Sequence, residues 1–359
     1  MERSINQMEQ KKIDITTVGV FKDALWVSLK KPSAALFFLK TIIKQRRAQR
    51  TRLKWISEGI QVPPAMIFSI TNECNLNCKG CYNKALRVPS KKELDTAEII
   101  NILRQAKEIG ISLIVVAGGE PFVKKDFLKI VRTFPELIFL VFTNGLLLKG
   151  SLLEEIKSQR NVVPVISIEG RSEQTDLRRG EGVFKLLKIV IERLKKESVF
   201  FGTSLTMTRQ NFELVTDLDF VTDLIKKGCK VLFYVEYTPI LEGTEDWILT
   251  GEQRKKVPDI MKVYRKRFSA LFAGLPAEED LFGGCLSAGR GFIHVNAEGD
   301  LEPCPFAPFS DVNLRDMTLK EALGSKLLEE IRKNQFMLDE SEGGCSLWAN
   351  RKWVESLTK

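Results

Sequence analysis

Met66-Ile-Phe-Ser-Ile70-Thr-Asn-Glu-Cys74-Asn-Leu-Asn-Cys78-Lys-Gly-Cys81-Tyr82 joins a short apolar run directly to three cysteines within eight residues. The run has the length and composition of a buried strand, and the C-x3-C-x2-C spacing leaves three thiols on one loop at its carboxyl end. Outward from this stretch the pattern repeats. Apolar runs at 66–70, 113–117, 138–142, 165–168, 200–205 and 231–237 alternate with amphipathic stretches at 96–109, 127–134, 152–159, 184–196 and 214–227. Such alternation predicts parallel βαβ units with right-handed crossovers. The expected fold is α/β, a partial (β/α)6 TIM-type barrel, in which chemistry sits at the carboxyl ends of the strands.

Composition fits one barrel with appendages. The chain has 359 residues with 44% hydrophobic content, long for a single domain unless that domain is a barrel. We expect a basic helical N-terminal extension over 1–63, the barrel over 64–275, and a small α+β cluster-binding domain over 276–359. No run of 18 apolar residues occurs and the first residues lack a signal-like apolar stretch, so a soluble cytoplasmic protein is expected. Seven unevenly spaced cysteines do not make a disulfide scaffold, and they suit a metal site in a reducing compartment. With His294 as the single histidine, mixed Cys/His zinc sites and histidine acid–base chemistry are nearly excluded. Three thiolates on one loop can hold three corners of an iron–sulfur cubane and leave one iron open to an outside chelator, whereas a zinc ribbon would want a second cysteine pair.

In these residues the chain resembles the radical S-adenosylmethionine (SAM) superfamily, whose hallmark is C-x3-C-x2-C followed by an aromatic, here Tyr82. The resemblance continues through the barrel. Gly118-Gly119-Glu120-Pro121 after the second strand matches the GGEP element that binds the cofactor's methionine amino group, and glycines with a carboxylate suit that task physically. Thr143-Asn144-Gly145 matches the TNG element bordering the cofactor. Ser167 and Glu169 at the fourth strand's end, with Arg178 or Arg179, resemble the ribose and carboxylate contacts. The implied cofactors are SAM and the 4Fe–4S cluster that binds it. The implied activity is reductive cleavage to a 5′-deoxyadenosyl radical that abstracts hydrogen from a substrate, with electrons from a flavodoxin- or ferredoxin-like protein.

The tail carries a second set, Cys285, Cys304 and Cys345, with Gly299 between the first two. Asn296-Ala-Glu-Gly299-Asp between two apolar segments reads as a hairpin that brings Cys285 toward Cys304. A helix is expected over 319–332. This pattern resembles the SPASM and twitch auxiliary-cluster domains, which implies one auxiliary 4Fe–4S cluster, while the full SPASM signature has further cysteines missing here. The alternatives are a tail that has lost its cluster, or zinc.

The first 60 residues hold 13 Lys/Arg against 5 Asp/Glu, while the remaining residues are close to neutral. An amphipathic helix packed on the barrel is the leading expectation for this segment, a membrane-surface anchor the second, and nucleic acid the least supported. For function, a maturase acting on a peptide or protein leads. A small-molecule enzyme (a dehydrogenase, or lipid or cofactor biosynthesis) follows, and a non-catalytic iron–sulfur protein comes last.

Overall fold

A computed structural model describes residues 2–29, 32–87, 92–338 and 344–358. Seven strands, β1 (Ala65–Ser69), β2 (Leu113–Ala117), β3 (Ile138–Thr143), β4 (Val162–Ile168), β5 (Gly202–Met207), β6 (Val231–Glu236) and β7 (Leu271–Leu275), follow one another in parallel. Two more, β8 (Phe292–Val295) and β9 (Leu301–Glu302), complete a sheet ordered β7-β6-β5-β4-β3-β2-β1-β8-β9. The strands are almost continuously apolar because both faces are covered, as parallel sheets require. The sheet is also curled. Phe142 on β3 and Phe233 on β6 would stand about 14 Å apart in a flat sheet, yet their ring centroids are 5.3 Å apart. This is the partial TIM-type barrel that the alternating pattern predicts.

Two features differ from the sequence expectation. The last of the six expected apolar runs is 231–237, but after a helix that stops at Arg267, β7 adds a seventh strand beside β6. The reason is its brevity and its Ala/Gly content, which hide a strand whose stability comes from pairing rather than propensity. The expected helix over 319–332 is split into Leu319–Ala322 and Lys326–Lys333 around Gly324, and Ser325 caps the second piece through Leu328 N.

The tail hairpin forms as expected, with β9 antiparallel to β8, but β8 itself pairs in parallel with β1. It therefore extends the barrel sheet at the edge opposite β7. Two long helices, α1 (Glu2–Ser28) and α2 (Pro32–Ser57), form a hairpin across the amino ends of the strands. Phe21, Ala24, Phe38 and Ile42 pack there on Ile138, with Leu113, Phe200 and Leu271 around them. Arg52 is fully buried, bonds Asp14 at 2.7 Å and donates to Gly110 O, and Ser112 donates to Gln45. The leading expectation for this segment, packing on the barrel, describes its inner face.

Candidate functional site

The cysteine loop leaves β1 and ends where Cys81 caps α3 (Tyr82–Leu86). Cys74 is exposed, while Cys78 and Cys81 are half-buried. Backbone bonds from the Gly118-Gly119-Glu120 turn hold the loop: Gly119 N donates to Thr71 O and Glu120 N to Glu73 O, both at 2.8 Å. The approach is so close that a Cβ on Gly119 would lie 2.0 Å from Glu73 O. At the far end, Gly80 (φ +65°) lies under Tyr237 and Trp247, each of which would stand 2.8 Å from an added Cβ. Lys79 N donates to Arg178 O at 2.8 Å. Four separate elements thus fix the loop's backbone and leave its sulfurs facing the barrel mouth.

The carboxylates at the mouth differ in their partners. Glu120 is almost fully buried and accepts from Thr143 Oγ1 (2.7 Å), Asn144 N (2.7 Å) and Phe122 N (3.2 Å). Burial nevertheless holds its carboxyl above the usual range, since those three donors only partly offset the lost hydration. Glu169, immediately after β4, is buried with Arg178 (2.8 Å) and Arg179 (2.6 Å) on its Oε1. Burial alone would raise it, but the two guanidinium groups prevail and hold it below the usual carboxylate range. Its Oε2 is buried with no hydrogen-bond partner. Asn144 Nδ2 donates to Asn75 Oδ1 at 2.7 Å and reaches Cys74 Sγ at 3.9 Å. Ser167 sits half-buried on β4. Burial raises the Cys74 and Cys78 thiols, with Arg179 and Arg178 opposing at Cys78.

The structure therefore gathers Cys74, Cys78, Cys81, Gly118, Gly119, Glu120, Asn144, Glu169, Arg178 and Arg179 at one end of the barrel. Tyr82 is set apart. It is half-buried with its ring centroid 5.0 Å from that of Phe306, and Cys81 and Cys304 are both near enough to disfavour its ionisation. Sequence reasoning missed Trp247 and the Glu236–Arg254 pair (2.9 Å) at the end of β6. A lone tryptophan in the loop after β6 was the available signal for the first. Nothing marked Arg254 within a polar helix.

The tail cysteines come together as well. Cys304 and Cys345 lie close enough to perturb each other, and Cys285 is close enough to raise Cys304 further. Cys345 also accepts from Trp348 N at 3.4 Å, so it falls below the usual thiol range while Cys304 rises above it. Burial pushes Cys285 up, and Glu279 adds to that. Among the described residues no three His, Cys, Asp or Glu side chains converge on a single-ion site. This second group abuts the mouth, because Gly344 lies against Glu236 and Trp348 Nε1 donates to Pro239 O at 3.2 Å. Cys229 is fully buried on the barrel and donates to Val231 O, apart from both sets.

The curled parallel half-barrel thus carries, at one mouth, a three-cysteine loop after β1 and a Gly-Gly-Glu turn after β2. The sequence signature of the Radical SAM superfamily matches residues 68–221, the stretch that runs from β1 through the cysteine loop to the helix before β6. It is 27% identical over 296 residues to the AdoMet-dependent heme synthase of Oleidesulfovibrio alaskensis, covering 74% of this chain and 76% of that protein. It is 26% identical over 307 residues to the mycofactocin maturase MftC of Mycolicibacterium smegmatis, covering 80% and 76%. Among solved structures, Streptococcus suis SuiB bound to S-adenosylmethionine superposes with a TM-score of 0.66 at 17% identity, covering 84% of this chain and 75% of that one. The protein is thus a radical SAM enzyme that uses a 4Fe–4S cluster and SAM. No helix among the described residues is long and apolar enough to cross a membrane.

Proposed function

We propose that Cys74, Cys78 and Cys81 hold the SAM-binding cluster, that Cys285, Cys304 and Cys345 hold one auxiliary 4Fe–4S cluster, and that the substrate is a peptide or protein. The donor chemistry fits the first group. Three thiols share a loop whose backbone is braced on both flanks, so binding would reorganise side chains rather than chain. Held by these three thiolates, a reduced cluster would supply the electron for reductive cleavage of bound SAM.

The chain's own residues position that cofactor. Glu120 is a desolvated carboxylate with neutral donors only, and a ligand ammonium would restore its missing charge partner. Glu169 holds Arg178 and Arg179 in place, while its unpartnered Oε2 is free to accept from a ribose hydroxyl. Asn144 and Ser167 complete the polar wall, and Gly118 and Gly119 keep it thin. Phe142 and Phe233 supply an apolar floor that excludes water. Tyr82 braces the loop against Phe306 from outside this pocket.

The observation that carries the auxiliary assignment is the approach of three thiols drawn from distant segments, close enough for each to feel another's charge. Their fourth partner would be a non-cysteine group or the substrate. A peptide substrate is supported by the maturase relative and by the fold shared with SuiB, which has also been solved bound to its precursor peptide SuiA. A small reductant of the flavodoxin or ferredoxin type would serve the mouth, and seven unpaired cysteines suit a reducing compartment such as the cytoplasm. The small-molecule reading is favoured by one specific observation: the heme synthase relative aligns with three quarters of each chain. The test is anaerobic incubation of reduced holoenzyme and SAM with candidate peptides and, separately, with iron-porphyrin carboxylates. A mass change on a peptide alone supports the proposal, and a mass change on the porphyrin alone replaces it.

A further inference from the structure

The helical hairpin has two faces, and only one is used by the barrel. Its inner residues seal the amino ends of the strands, whereas its outer face keeps large apolar side chains in water: Trp26 is 70% exposed, Leu29 51%, Leu36 53%, Leu39 50% and Ile43 50%. These positions are not scattered. Lys22, Trp26 and Leu29 follow i, i+4, i+7 along α1, and Leu36, Leu39, Lys40 and Ile43 follow i, i+3, i+4, i+7 along α2, so each set forms one stripe. The two helices pack on each other as a hairpin, so both stripes belong to one helical pair. The α2 stripe continues into exposed Arg47 and Arg50 beside Arg46, and Asp23 is the one exposed carboxylate among the described side chains of residues 10–57. The buried acid, Asp14, is already paired with Arg52.

An apolar stripe bordered by Lys and Arg, with a tryptophan at its edge, is the arrangement of a helix that lies in a lipid interface. A second copy of this chain suits it less well, because it would press two surfaces of the same strong positive charge together. We propose that the outer face of this hairpin docks the enzyme on an anionic lipid surface, with Trp26, Leu29, Leu36, Leu39 and Ile43 entering the headgroup boundary and the flanking Lys and Arg meeting anionic headgroups. The hairpin lies at the end of the barrel opposite the cysteine loop, since its inward bonds go to Gly110, Ser112 and Pro135 before β2 and β3. Docking in this way leaves the mouth facing the aqueous side, so a substrate arrives from water and not from the bilayer.

The test uses full-length reconstituted holoenzyme sedimented with phosphatidylcholine vesicles, with or without phosphatidylglycerol. Binding is expected only with the anionic vesicles, falling at least about tenfold as salt rises from 0.05 to 0.5 M, when the Debye length shrinks severalfold. Combined Trp26→Gln, Leu29→Gln, Leu36→Gln and Leu39→Gln should lower vesicle affinity by about tenfold or more. Combined Lys40→Gln, Arg46→Gln, Arg47→Gln and Arg50→Gln should remove the salt dependence. Both variants replace exposed side chains only, so unchanged melting and unchanged 5′-deoxyadenosine formation without vesicles are expected. The proposal is overturned by absent or salt-insensitive binding, by equal binding of the apolar variant, or by a concentration-dependent dimer that this variant abolishes.

Discussion

The two cysteine sets present the same three thiols in opposite ways. Cys74, Cys78 and Cys81 come from eight consecutive residues, open toward solvent, and owe their arrangement to a loop clamped by its neighbours. Cys285, Cys304 and Cys345 come from three segments spread over 61 residues, lie deeper, and meet only because β8 returns to pair with β1 and the tail crosses the end of β6. A local site tolerates change elsewhere in the fold and fails when its own backbone is disturbed. An assembled site depends on tertiary structure that the first does not need.

The largest expected effect separates the two directly. Cys78→Ala should reduce SAM cleavage to background, whereas Cys345→Ala should leave 5′-deoxyadenosine formation intact and abolish modification of the true substrate; chromatographic quantification of both products reads this difference. Next comes the clamp. Gly119→Ala forces a methyl against Glu73 O, so we expect a loss of roughly 1–3 kcal/mol in unfolding free energy, together with weaker retention of iron by the loop. If melting and iron retention both match the parent protein, the close approach is not what holds the loop.

A link between the regions should give a smaller effect. Ser69 at the end of β1 meets His294 Nε2 at 2.8 Å, His294 Nδ1 meets Glu302 at 2.7 Å, and Glu302 holds Arg87 after α3. Burial holds His294 neutral, below its ordinary value of 6.5, even though Glu302 opposes this. The unfolded chain therefore binds a proton as pH falls through about 6.5 and the folded one does not. Stability should be flat with pH above that point and fall below it by at most about 1.4 kcal/mol per pH unit from this residue. His294→Gln should remove that component, as denaturant titrations at pH 7.5 and 5.5 would read. An unchanged acid slope would exclude His294 as its source.

How much of this was legible in the sequence follows the same division. The barrel and the grouping of the first cysteines were legible because short continuous apolar runs, a turn and a cysteine spacing are all local signals. Gly119 and Glu120 were found by pattern, but the bracing of Thr143 and Asn144 by Glu120 was not, since it joins loops more than twenty residues apart. β7 was missed because its stability lies in pairing with β6. Arg52 belongs to the basic N-terminal segment, yet it is fully buried against Asp14, a contact across 38 residues that helical periodicity cannot anticipate. The convergence of Cys345 with Cys304 was implied only by resemblance, because nothing within 40 residues of chain fixes where the tail returns.

Iron content is the measurement that bears most directly on the assignment of both groups. Anaerobically reconstituted parent protein should carry about eight irons in two 4Fe–4S clusters. The variant with Cys74, Cys78 and Cys81 all changed to Ala should keep about half of them and make no 5′-deoxyadenosine, and the variant with Cys285, Cys304 and Cys345 changed to Ala should keep the other half and still make it. Stoichiometric zinc in place of iron, or a loop variant that retains both its full iron content and SAM cleavage, would contradict the account.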